Sequence, residues 1–221
     1  AAAPYYDGKT IKLIVGFSAG GGFDTYARAL SRYMGKYIPG NPSIIVENMP
    51  GAGSLIAANH IFHAAKPDGL TIGAFNGNQI LAQLIGGQGI TFDARKMEWM
   101  GAPGYNHDLC VLNKTTGIAN AEQWLASKTP LKLGGSAPGS TTDDGPKVLK
   151  EAIGLPMRLV SGYKGTADIR LAINSGELQG VANSWESFKS TWRAELERGE
   201  VVLLVQANLK PHPEVPNVPW A

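Results

Sequence analysis

Two hydrophobic rhythms alternate along the chain. IKLIVGF (residues 11–17) is a short, nearly continuous apolar run rich in Ile and Val and stopped by glycines, the pattern of a strand buried on both faces. Phe23, Ala27, Leu30, Met34 and Tyr37 then recur at helical spacing with polar residues between them. PSIIVENMPGAGS (42–54) predicts a second strand, SLIAANHIFHAA (54–65) a second helix, and PDGLTIGAFNG (67–77) a turn followed by a third strand. Strands separated by helices give βαβ units and parallel sheet. The rhythm restarts after Gly101. DLCVLN (108–113) reads as a strand, and NAEQWLASK (120–128) as a helix with Asn120 as its cap. LKLGGSAPGSTTDDGPKVLKEAI (131–153) and MRLVSGYKGTADIRLAINSGELQGVANSW (157–185) each repeat strand, small-residue loop and helix. This predicts two α/β lobes, with a boundary near residues 102–107 and a return crossing near 203–208. Residues 1–104 form lobe one, 105–205 form lobe two, and 206–221 are expected to return to lobe one. KPHPEVPNVPWA (210–221) holds four prolines, so it is neither helix nor central strand.

Composition narrows the classes. Hydrophobic residues are 43% of the 221 and charged residues 17%, which suits a folded chain. The net charge is +2 with no basic block, so no nucleic-acid partner is expected. No apolar run is long enough to span a bilayer. Cys110 stands alone and reads as a small buried apolar residue. AAAPYYDGK fits a mature terminus after signal-peptide removal at an A-x-A-like site.

The first loop carries the main chemical question. Gly16-Phe17-Ser18-Ala19-Gly20 spells G-x-S-x-G, the elbow of a serine hydrolase with Ser18 as nucleophile. That chemistry also needs an oxyanion loop upstream and a histidine partner. Only fifteen residues precede Gly16, and the one late histidine, His212, lies in the proline-rich tail. The same loop otherwise reads as an anion cradle. Gly20, Gly21 and Gly22 let backbone N–H groups point into a cleft, and the following helix aims its positive end there. No Lys or Arg lies between Leu13 and Ala27, which favours a carboxylate over a phosphate. Asp24 is expected to pin the loop. Residues 134–144 offer a second such loop with the hydroxyls of Ser136, Ser140, Thr141 and Thr142. Residues 162–168 and 74–79 supply further loops, the latter with Asn76 and Asn78. Open α/β sheets bind ligands beyond the carboxyl ends of their strands. His60 and His63 at i, i+3 read as ordinary partly buried histidines rather than a metal site, and Trp185 and Trp192 read mainly as core.

IKLIVGFSAGGGFD, IIVENMPGAGS, KPDGLTIG, GGSAPGSTTDD, YKGTAD and INSGELQGVANS together resemble the substrate-binding receptors of tripartite tricarboxylate transporters, the Bug-type periplasmic proteins. The resemblance spans nearly the whole chain. It implies an α/β, two-lobe, type II periplasmic-binding-protein fold with mixed, mostly parallel sheets, flanking helices and a ligand cleft between the lobes. It implies a periplasmic, monomeric, non-enzymatic protein without cofactor or metal. Such a protein captures a small organic carboxylate, a di- or tricarboxylate or an aromatic acid, for membrane transporter subunits. The expected ligand-binding residues are Phe17, Ser18, Ala19, Gly20, Gly21, Gly22, Asn76, Asn78, Ser136, Gly139, Thr141, Thr142, Lys164, Gly165 and Asn183. Gly16 and Ala19 stand where the family has Pro, Phe23 where it has a small residue, and Asn183 where it has Asp. The resemblance also implies elements beyond Ala221 that complete lobe one. A serine hydrolase using Ser18 and a ligand-sensing input protein of the same fold are the alternatives.

Overall fold

A computed structural model describes residues 3–220. Ala1 and Ala2 of the A-x-A-like start, and Ala221, lie outside the described residues.

Lobe one is built on a three-stranded parallel sheet. β1 (Thr10–Val15) lies between β2 (Ser43–Asn48) and β3 (Thr71–Ala74). The central position explains the apolar run of β1: Ile11, Leu13, Ile14 and Val15 are all buried because helices cover both faces. Leu13 and Val15 pack with Ala27 and Phe23 of α1 (Gly22–Tyr33). Ala58 of α2 (Leu55–His63) packs with Phe92 and Ala94. α3 (Asn78–Leu84) follows β3.

Lobe two holds a five-stranded mixed sheet. Its strands are β4 (Asp108–Asn113), β5 (Leu131–Gly134), β6 (Met157–Val160), β7 (Gly180–Ser184) and β8 (Val201–Gln206), in the order β6-β5-β7-β4-β8. β5 runs parallel to β6 and β7, and β4 runs antiparallel to β7 and β8. The period-two rule is visible in β4. Leu109 and Val111 enter one core with Ile169, Val181, Phe188 and Trp192, while Cys110 and Leu112 enter another with Trp124, Leu133 and Leu149. Burial, and then the nearby Asp108 charge, push the Cys110 thiol up to about 12, so it is a packing residue. The helices of this lobe are α4 (Ala121–Leu125), α5 (Thr141–Ile153), α6 (Thr166–Asn174), α7 (Trp185–Thr191) and α8 (Arg193–Glu197). Asn120 caps α4 as its sequence indicates, accepting the Gln123 N–H at 2.9 Å. Trp185 and Trp192 are core residues, and α7 also packs against α1 of lobe one.

For residues 206–220, in the stretch expected to return to lobe one, the described contacts are with lobe two. VVLLVQ forms β8, which pairs with β4, and the tail makes its described contacts with lobe two. The reason is Gln206, which is fully buried. Its amide Nε2 donates to the carbonyls of Val215 (3.1 Å) and Val218 (2.9 Å), and its Oε1 accepts the His212 N–H at 2.8 Å. A proline-rich stretch forms few backbone bonds of its own, so it is held by this buried amide together with the Gln206 N–H on the Pro219 carbonyl (2.7 Å) and Glu214 on the Trp185 indole and the Lys189 ammonium. Val215 then fills the core beside Leu109, Val111 and Trp185. Replacing Gln206 by Ala strands three buried backbone groups and is expected to lower stability by about 2–4 kcal/mol. Urea unfolding checks this, and limited proteolysis should cut first within residues 207–220.

Candidate functional site

The glycine loop after β1 is held from below by a polar cluster. Asn48 ends β2 opposite Val15, and its Nδ2 donates to the Phe17 carbonyl (3.0 Å) and to Asp24 Oδ1 (2.9 Å). Buried Asp24 accepts the Gly20 N–H at 2.9 Å and the Arg28 Nε–H at 2.9 Å. Burial alone pushes the Asp24 carboxyl up, but Arg28, the Gly20 amide and Asn48 together outweigh it and hold the group below its usual range. Asp24 pins the loop as expected. Phe17 stacks on Phe23 with ring centroids 4.7 Å apart, so it offers backbone rather than side chain.

The lobe-two loop between β5 and α5 is a knot of hydroxyls. Thr142 Oγ1 accepts the Ser136 N–H (3.1 Å) and lies 3.0 Å from Ser136 Oγ and 3.1 Å from Ser140 Oγ. The Gly139 N–H donates to Asp144 Oδ2 at 3.1 Å. Asp143 is buried beneath, where it accepts the Ser161 hydroxyl at 2.7 Å. Burial leads the upward shift of its pKa.

The two sets of loops meet. The Ser18 N–H donates to the Lys164 carbonyl (3.1 Å), and its hydroxyl donates to Asp168 Oδ2 (2.6 Å). A side-chain carbon on Gly165 would stand 3.0 Å from the Ser18 nitrogen, and one on Gly21 would stand 2.9 Å from Thr166 Oγ1. Both glycines therefore serve close approach. Gly21 has φ −86°, which any residue adopts, so space is the requirement there. Asn76 Nδ2 reaches Thr141 Oγ1 at 3.5 Å, and Gln79 Nε2 donates to Gly53 O (2.9 Å) and Gly139 O (3.5 Å). The N-termini of α1, α5 and α6 thus face one junction beyond the carboxyl ends of β1, β3, β5 and β6. Each of these helix N-termini offers backbone N–H groups and carries aspartate in its first turn: Asp24 in α1, Asp143 and Asp144 in α5, and Asp168 in α6.

Of the expected residues, Phe17 to Gly22, Asn76, Gly139, Thr141, Lys164 and Gly165 lie on these facing loops, Lys164 by its carbonyl. Ser136 and Thr142 are buried behind the surface and bonded to each other. Asn78 gives its N–H to Asn76 Oδ1 (2.9 Å), and Asn183 is buried with Nδ2 donating to Ser187 Oγ (2.8 Å). Sequence reasoning missed Asp168, Gln79 and Ser187 as junction residues. Asp168 had a signal, since it sits in the first turn of the helix that opens in YKGTAD. Among the described residues no histidine is hydrogen-bonded to Ser18. Its hydroxyl donates instead to the Asp168 carboxylate. A cavity of about 620 Å³ lies elsewhere, on the outside of lobe two between α5 and β6, lined by Lys132, Lys147, Lys150 and Arg158. It is remote from the junction, where the lobes are in contact.

No family model matches the chain. A UPF0065 protein encoded in the gbd 5′ region of Cupriavidus necator is 27% identical, over 99% of this chain and 65% of its own length. A second UPF0065 protein, from Bordetella bronchiseptica, is 25% identical, over 64% of this chain and 42% of its own length. The chain spans just under two thirds of the length of the Cupriavidus necator relative. Its fold is that of periplasmic binding proteins. BugD superposes with a TM-score of 0.74 at 21% identity, covering 97% of this chain and 71% of BugD. MatC of Rhodopseudomonas palustris, solved with bound malate, gives 0.72 at 23% identity, covering 96% of this chain and 71% of MatC. No helix of the described residues is long and apolar enough to cross a membrane.

The Asp24 cluster has a pH signature. Its pKa is depressed in the folded state, so its stabilisation is fully present above the ordinary carboxylate pKa and is lost as pH falls through the lower folded value. Asp24→Asn is expected to cost about 1–2 kcal/mol at pH 7. The gap between the two proteins should close below pH 4, which thermal melting across pH will show.

Proposed function

We propose that this protein is a periplasmic, non-enzymatic receptor that captures a small organic di- or tricarboxylate between its two lobes and presents it to the membrane subunits of a tripartite tricarboxylate-type transporter. The observation that carries this reading is the junction itself. Two backbone glycine loops, a hydroxyl loop and three helix N-termini face one another across two lobes, at the carboxyl ends of parallel strands. Such an arrangement supplies neutral N–H and O–H donors that stabilise a carboxylate without forming a covalent bond to it. The likeness in fold to BugD, a periplasmic binding protein, supports the receptor role, and MatC's bound malate supports the ligand class. Phe17, Ser18, Ala19, Gly20, Gly21, Gly22, Asn76, Asn78, Ser136, Gly139, Thr141, Thr142, Lys164, Gly165 and Asn183 are the proposed ligand-binding set, with Ser136 and Thr142 positioning the hydroxyl loop. Ligand entry separates the Ser18–Asp168 and Gln79–Gly139 contacts, a hinge-type opening.

Titration calorimetry with malate, adipate, citrate and an aromatic acid tests the reading. A dicarboxylate is expected to bind one to one. Gly21→Val should abolish binding while leaving the protein folded, because its side chain fills the space against Thr166. Thr142→Ala should weaken binding by about 0.5–1.5 kcal/mol. A fluorophosphonate probe should leave Ser18 unlabelled. Stoichiometric labelling that disappears in Ser18→Ala would reverse the assignment, as would unchanged affinity in both loop variants.

A further inference from the structure

Away from the cleft, three side chains from three segments converge. His107 lies in the connection that enters lobe two just before β4. Glu186 lies in the first turn of α7, and His212 lies in the proline-rich tail. One ligand atom from each falls within 4.8 Å of the others. His107 Nδ1 is 2.9 Å from Glu186 Oε1, and His212 Nε2 is 4.0 Å from the same oxygen. The two imidazole rings meet edge to face with centroids 4.4 Å apart. All three side chains are partly buried, with 27%, 21% and 11% exposure, so the cluster is shaped by packing yet open to solvent.

We propose that His107, Glu186 and His212 form a binding site for a divalent transition-metal ion of the zinc type. Two imidazole nitrogens and one carboxylate oxygen are a common three-ligand zinc set, with water in the fourth position. Closing the ligand distances to those of a tetrahedral site needs only small movements of exposed edges. The residues are also held from outside. Glu186 Oε2 accepts the His107 backbone N–H at 3.1 Å, the Trp185 N–H donates to the His107 carbonyl at 2.8 Å, and Gln206 fixes the backbone of His212. A second observation points the same way. Asp108, next to His107, keeps a buried Oδ1 without a hydrogen-bond partner.

Binding has a mechanical consequence. His212 Nδ1 accepts the Glu214 N–H at 3.1 Å, which places the neutral ring's proton on Nε2. A metal at Nε2 moves that proton to Nδ1 and breaks the Glu214 bond. Glu214 also accepts the Trp185 indole N–H at 2.8 Å, so the indole reports the change. His60 and His63, the pair with metal-like spacing in the sequence, differ. His63 Nε2 is already engaged 3.0 Å from both the Thr91 carbonyl and hydroxyl oxygens, and among the described residues no third ligand joins the pair.

The test uses the tag-free chain, stripped with a chelator, titrated with zinc chloride by calorimetry and by tryptophan fluorescence. One zinc per chain is expected, with a fluorescence change at the same stoichiometry. Glu186→Gln and His212→Ala should each weaken binding by at least about tenfold. His63→Ala should leave it unchanged. Melting curves in chelator establish that each variant is folded. If His212→Ala is not folded, zinc protection of His107 and His212 from diethylpyrocarbonate in the unaltered chain replaces it. The proposal is overturned by an absence of saturable zinc binding, by unaltered affinity in Glu186→Gln, by loss of binding in His63→Ala, or by lack of protection at both histidines.

Discussion

Two backbones come within hydrogen-bonding distance at Ser18 and Lys164, and the junction between the lobes depends on that approach. At two positions a side chain would stand in the way of the contact. Gly165 lacks one against Ser18, and Gly21 lacks one against Thr166. The glycines also leave N–H groups uncovered, so the feature that lets the lobes touch is the feature that makes their meeting surface rich in donors. Asp24 and Asn48 limit how far the glycines can wander. A loop with so many small residues would otherwise lose much entropy on being ordered, and the buried carboxylate offsets part of that cost by fixing the loop through Gly20 and Phe17.

Polar burial organises the second lobe in a comparable way. The hydroxyls of Ser136, Ser140 and Thr142 satisfy one another, and Gln206 satisfies three backbone groups of the tail. Among the described residues the buried atoms without partners are Asp108 Oδ1, Asp143 Oδ1 and the Trp192 indole nitrogen. Two of the three are carboxylate oxygens whose pKa values rise with burial. Asp143 lies under the proposed carboxylate site and Asp108 beside the proposed metal site.

The cleft and the histidine cluster sit on different parts of the same connection. The chain leaves lobe one, passes His107, enters β4 and later returns as α7, whose first turn carries Glu186 and whose flank packs against α1. α1 in turn presents its N-terminus to the cleft.

Local pattern was enough to place the elements. DLCVLN became β4 with its stated bounds, and each small-residue loop after a strand became a helix entrance, because period, glycine stops and capping are encoded by near neighbours in sequence. The close-approach role of the glycine loop and the pinning role of Asp24 were also legible, since both follow from residue type at a strand–helix turn. Tertiary structure alone decided the rest. VVLLVQ pairs with β4, and the tail folds onto lobe two, because a buried Gln206 amide finds carbonyls nine and twelve residues away. Asp168 meets Ser18 across 150 positions, and His107 meets Glu186 across 79. Contacts of that separation leave no periodicity in the chain; they exist only once two sheets have packed and fixed the distances between their loops.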